Sequence, residues 1–184
     1  MRQWSYAAAA AAAALSLAPA AGAALRAQPR PAPGASPAPL NEKSSMTAHA
    51  SGTFEVQLKP MPTYETAEGA MLGRMSIDKQ FHGDLEATSR GEMLSAGTAV
   101  KGSAAYSAVE RVSGTLAGRR GTFVLQHTGV MNRGVPSLVI TVVPDSGTGE
   151  LAGLTGTMGI QIEGGRHSYT FDFDLPAPAG PGAP

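Results

Sequence analysis

The chain has 184 residues, 14 basic and 14 acidic side chains, and aromatics make up only 5% of it. It has no cysteine, which excludes disulfides, thiolate metal sites and a cysteine nucleophile. A formal net charge of zero gives no electrostatic basis for holding nucleic acid or an anionic membrane.

At the front, Arg2 precedes an uncharged, alanine-dominated stretch from Trp4 to Leu25. A basic start, an apolar middle and the small residues Ala21-Gly22-Ala23 predict a secretory signal peptide over residues 1–27. Its removal deletes Arg2 and Arg26 and no acid, leaving 12 basic against 14 acidic residues. The expectation is a secreted or periplasmic protein with no membrane attachment after cleavage; translation starting at Met46 would make it cytoplasmic instead. Residues 28–45 contain the proline–alanine run from Pro29 to Pro39, too poor in apolar content to fold, and residues 176–184 have the same character. Both are expected to be disordered, leaving one folded domain over residues 46–175.

Within that domain the apolar period is two, not 3.6. Phe54, Val56 and Leu58 alternate with Thr53, Glu55, Gln57 and Lys59, and Met75, Ile77 and Lys79 lead in the same way towards Phe81. His82-Gly83-Asp84 is read as a reversal, and residues 61–72 as a loop or single helical turn over one end. Leu85–Val100 follows, with bends at Gly91 and Gly97, and then Ala104–Leu116 with Tyr106, Val109 and Val112. Gly118-Arg119-Arg120-Gly121 reads as a hairpin turn into Thr122–Met131, and Asn132-Arg133-Gly134 as another before Ser137–Val143. Six glycines then punctuate the chain from Gly147 to Gly164, a pattern suited to a strongly curved sheet. After Gly164-Gly165-Arg166, the residues Tyr169, Phe171, Phe173 and Leu175 share one face of a last strand. The predicted fold is all-β: a single antiparallel, roughly eight-stranded closed barrel.

The segments SGTFEVQLKP, LGRMSIDKQFHGDLEATSRGEMLSAGTAVKGSAAY, GTFVLQHTG, VVPDSGTGELAGLTGTMGI and YTFDFDL resemble a bacterial family called domain of unknown function 3224. The resemblance covers nearly all of residues 46–175 and implies a compact β-barrel without implying a reaction. The Gly83–Leu85 segment, SGTGELAG and the final YTF resemble, more distantly, allene oxide cyclase and dirigent barrels. In those relatives an acidic residue on an early strand acts inside the barrel, and the counterpart implied here is Glu55.

For chemistry, Tyr106 and Glu110 are four apart in a strand and so share a face, while Arg111 points oppositely. Tyr106, Glu110, His127 and Glu55 are the candidate lumen-facing ligand-binding residues. His82, beside Asp84 and near Glu86, is a candidate acid–base group set against a solvated turn histidine, and His167 is expected to be exposed. No HExxH or other ligand spacing predicts a metal, and no cofactor is predicted. Gly147-Thr148-Gly149 lacks the spacing of a phosphate loop, and no G-x-S-x-G elbow occurs. The leading expectation is binding of a small, mostly apolar molecule in the lumen. The alternatives are a structural homo-oligomer with a filled barrel, and a cyclase- or isomerase-like enzyme using Glu55 or Glu110 with Tyr106.

Overall fold

The computed structural model describes residues 47–65 and 71–176. The expected signal peptide and linker, Met46, the tail from residue 177 and residues 66–70 lie outside the described residues. Eight strands follow one another: β1 (Ala48–Met61), β2 (Leu72–Gly83), β3 (Leu85–Gly97), β4 (Ala104–Leu116), β5 (Arg119–Asn132), β6 (Val135–Val142), β7 (Thr155–Glu163) and β8 (Arg166–Asp174). Each pairs antiparallel with its chain neighbour, and β8 returns to β1, so the sheet closes into a barrel.

The period-two pattern decides which side chains enter the barrel. On β2 the buried residues are Met75, Ile77, Lys79 and Phe81; on β8 they are Tyr169, Phe171 and Phe173. The connections between β4 and β5, β5 and β6, and β7 and β8 are two-residue turns with positive φ at both positions. That is the backbone geometry matching the right-handed twist of a hairpin. The first of these turns is Ala117-Gly118 rather than Gly118–Gly121: Leu116 pairs with Arg119, so Arg119, Arg120 and Gly121 already belong to β5. Of the stretch 61–72, Met61 ends β1 and Leu72 opens β2, and no helical turn occurs among its described residues.

The two ends of the barrel differ. At one, the glycine-rich connection between β6 and β7 folds over the opening with a 3-10 turn at Gly149–Leu151. It buries Leu151 and Leu154 against Phe123, Leu125, Phe171 and Phe173 in one continuous apolar core. Edge groups of β5 hold it down: Thr148 N–H donates to the Thr122 carbonyl at 2.8 Å, and Arg120 N–H to the Glu150 carboxylate at 2.8 Å. Gly121 permits the approach, since a Cβ there would collide with the Thr148 carbonyl oxygen.

At the other end the wall is incomplete. Among the described residues, β8 accompanies β1 only as far as the Phe54–His167 pair, and β1 continues from Glu55 to Met61 beside β2. β6 and β7 are joined by the single pair Thr141–Thr157. Inward-facing residues near this end, including Val56, Leu58, Met93, Tyr106, Met131, Leu138 and Ile160, are half-buried rather than buried.

The plug therefore carries stability that the exposed outer wall does not. Leu154→Ala removes a fully buried side chain and is expected to cost about 2–5 kcal/mol. Leu94→Ala, on the exposed outer wall, is expected to stay within about 0.5 kcal/mol. Urea denaturation of the two variants checks this; equal midpoints would contradict the plug's role.

Candidate functional site

Four inward positions on four consecutive strands meet in the middle of the barrel: Lys79 on β2, Ser89 on β3, Glu110 on β4 and His127 on β5. Register places them. Lys79 is the direct partner of Ser89, Glu110 faces Gly91, and His127 faces Ala108. Gly91 presents no side chain to Glu110, and a Cβ there would sit 2.6 Å from that of Glu110. The glutamate thus occupies space that another residue at position 91 would take.

Glu110 Oε1 accepts from Lys79 Nζ at 2.7 Å and lies 2.8 Å from His127 Nε2, while Oε2 accepts from Ser89 Oγ at 2.6 Å. The carboxylate is completely buried and His127 is only 3% exposed. Burial alone pushes the carboxyl upward. The His127 hydrogen bond and the Lys79 ammonium outweigh it and hold the group down at about 2, against an ordinary 4.5. With a carboxylate as its acceptor, His127 carries a hydrogen on Nε2, and its Nδ1 has no hydrogen-bond partner among the described residues. The Lys79 ammonium also lies 5.1 Å from the Phe54 ring centre and 5.6 Å from that of Phe81, within cation–π range.

Tyr106 is half-buried, with its ring over Gly129, where any Cβ would collide with it. Burial and then the Glu110 charge raise its hydroxyl above the usual tyrosine value. Of the four lumen candidates, then, Tyr106, Glu110 and His127 face inward and Glu55 does not. Phe54 and Val56 take the inner side of β1, so alternation sends Glu55 outward, where its side chain is 72% exposed and 3.1 Å from His82 Nε2. His82 therefore answers to Glu55, and to Glu86 at 3.5 Å, on the outer surface, while Asp84 accepts from Ser51 N–H. His167 is half-buried rather than exposed: its ring packs 5.1 Å from that of Phe54. Arg111 is exposed, as alternation requires.

Two members of the cluster were not singled out from sequence. Lys79 stood in the inward series Met75, Ile77, Lys79, Phe81, which is a readable sign of a buried lysine; Ser89 carried no signal beyond its place in the alternation. Among the described residues no group of three or more histidines and acids is arranged to hold a metal ion.

Beside the cluster lies an open cleft of about 560 Å³, lined by Thr53, Phe54, Glu55, Val56, Gly165, Arg166 and His167. It sits where β8 stops accompanying β1. Phe54 belongs to both places, with His167 on its cleft side and Lys79 at its ring. The arrangement offers a fixed buried anion, an ammonium and an imidazole whose tautomer is set.

Removing Glu110 leaves Lys79 buried and uncompensated, so Glu110→Ala is expected to cost about 3–5 kcal/mol. Arg74→Ala, which breaks an exposed pair with Glu92, is expected to cost under about 1 kcal/mol. Because the folded value of Glu110 lies below its ordinary one, its contribution is complete above pH 4.5 and drains away as pH falls towards about 2. Denaturation across that window should show a slope that Glu110→Gln removes; an unchanged slope would contradict the ionised assignment.

A family model described as a protein of unknown function (DUF3224) matches residues 50–173. Among solved structures the chain is similar to the crystal structure of a protein of unknown function from the DUF3224 family of Shewanella oneidensis MR-1, determined at 1.84 Å resolution. The two are 53% identical, with a TM-score of 0.68, and the match covers 72% of this chain and all of the other. No curated protein matches. With the family model spanning the barrel and a half-identical relative of the same length as that barrel, the chain belongs to the DUF3224 family.

Proposed function

We propose that the domain binds a small, mostly apolar molecule at the open end of the barrel. The observation that carries this reading is the cleft of about 560 Å³ at the break in the wall, a volume in the usual range for small-molecule sites. Phe54, Val56 and His167 give it an apolar and aromatic lining, and half-buried Leu58, Leu138 and Ile160 continue that character around the mouth. The site is an open mouth rather than an enclosed lumen. Next to the plug the interior is occupied by Phe81, Phe123, Leu125 and Phe171, which leaves the ligand only the other half. Export of the protein belongs to the same proposal and is supported by the order of Arg2, the alanine-rich stretch and Ala21-Gly22-Ala23.

A second reading, self-association, is supported by the outer wall. Leu94, Val109, Val130 and Val139 are exposed on β3 to β6, with the uncharged Ser107, Gln126, Thr128 and Ser137 among them. Sedimentation velocity tests it: a dimer that Val109→Lys converts to monomer supports the reading, and a wild-type monomer removes it.

An amide-resolved NMR titration with 1-octanol tests the first reading. Shifts are expected to gather at Phe54, Val56, Leu58, Ile160 and His167. Val56→Trp, which fills the cleft, is expected to weaken binding at least about tenfold. No shifts at millimolar probe, or shifts spread over the outer wall, would overturn it.

A further inference from the structure

The even overall charge conceals a separation between the two ends of the barrel. Around the plug stand Asp84, Glu86, Asp145, Glu150, Asp172 and Asp174, against Arg119 and Arg120. The open end reverses this, with Lys59, Arg74, Lys101, Arg133 and Arg166 against Glu65, Glu92 and Glu163. Glu68, in the β1–β2 connection, lies outside the described residues. Arg74 is bonded to Glu92 at 2.6 Å, and Arg166 is the cross-strand partner of Glu163. Lys101 and Arg133 pair with no carboxylate among the described residues.

Apolar exposure follows the same division. Tyr64, Met71, Leu72, Val100 and Val135 are exposed on, or next to, the connections of the open end. Among the described residues, no large apolar side chain is exposed on the connections of the plugged end.

Hydrogen bonds join the open-end connections into one arc of rim. Gly97 N–H donates to the Met71 carbonyl at 2.7 Å, which holds the start of β2 against the end of β3. Gly134 N–H donates to the Gly102 carbonyl at 2.9 Å, and Arg133 N–H to Ser103 Oγ at 3.1 Å. These bonds set the β3–β4 connection, residues 98–103, beside the tight turn between β5 and β6. Each of these two neighbouring tips thus carries a valine and a base: Val100 with Lys101, and Val135 with Arg133.

Apolar groups on separate tips, with bases among them, fit a lipid surface better than the flat face of a protein. The headgroup layer of a bilayer admits apolar side chains, and its anionic lipids attract lysine and arginine. Tyrosine, with an apolar ring and a polar tip, is enriched at that depth. The same surface repels the acidic plugged end, so the charge separation turns the open end towards it.

We propose that the open end docks on an anionic lipid bilayer. Tyr64, Met71, Leu72, Val100 and Val135 enter the headgroup layer, Lys101 and Arg133 meet lipid phosphates, and the plug points away. In that pose the Gly164-Gly165 turn, and with it the mouth of the cleft, also faces the bilayer.

Co-sedimentation of the intact chain with phosphatidylglycerol–phosphatidylcholine vesicles, against phosphatidylcholine alone, tests this. Binding is expected to the anionic vesicles and to weaken with added salt. Lys101→Gln and Arg133→Gln are each expected to lower it about fivefold. Val100→Asp combined with Val135→Asp is expected to lower it at least about tenfold. Val109→Ser, exposed on the wall, is expected to leave it unchanged. All of these side chains are exposed, so the variants are expected to fold, which their urea midpoints check. In amide-resolved NMR with bicelles carrying a nitroxide-labelled lipid, broadening is expected at Tyr64, Met71, Val100 and Val135, with Asp84, Ala117 and Gly149 spared. No binding, or equal binding to phosphatidylcholine alone, would overturn the proposal. Binding that the rim variants leave intact would place the contact in the alanine-rich stretch at the front and overturn it as well. A wild-type dimer that Val100→Asp dissociates, without vesicle binding, would assign the rim to a second copy instead. These variants leave Phe54, Val56 and His167 in place, so the octanol titration and the vesicle assay fail separately.

Discussion

A fully buried carboxylate governs the middle of this barrel. Glu110 has no solvent contact, and an ionised group so placed survives only if opposite charge and hydrogen bonds replace its water. Lys79, Ser89 and His127 do so from three other strands. The arrangement ties β2, β3, β4 and β5 to one register. A slip of one residue would send Glu110 to solvent and leave its partners buried and unmatched.

Around that constraint the barrel divides its work. Below the cluster, rings and branched side chains fill the interior, and Leu151 and Leu154 seal it. Above it, among the described residues, the outer half of β1 lacks a second partner, β6 and β7 share a single pair, and the inward side chains are half-buried. The packed half supplies stability, and the unpacked half leaves room beside a group of polar side chains whose positions are already set.

Much of this was legible from alternation, because a strand's two faces follow from neighbouring residues alone. The series Tyr169, Phe171, Phe173 faces inward as its spacing implies, and Tyr106 shares its face with Glu110. Where resemblance and alternation disagreed, at Glu55, alternation was right: Phe54 and Val56 take the inside. The ion pair itself was not legible. That Glu110 meets Lys79 depends on the register of three strands and on Gly91 having no side chain between them. The plug was hidden for a related reason. Leu151 and Leu154 lie within the glycine-rich stretch, and hydrogen bonds from β5 to Thr148 and Glu150, distant in sequence, hold them over the core. His167 is half-buried rather than exposed because its ring packs on Phe54, more than a hundred positions away in sequence.

Carbon-13 NMR of glutamate side-chain carboxyls reads the ionisation of Glu110 directly as a function of pH. The Glu110 resonance is expected to keep its carboxylate position well below pH 4.5, with a midpoint at about 2. A midpoint at or above 4.5 would mean that Lys79 and His127 do not hold its charge.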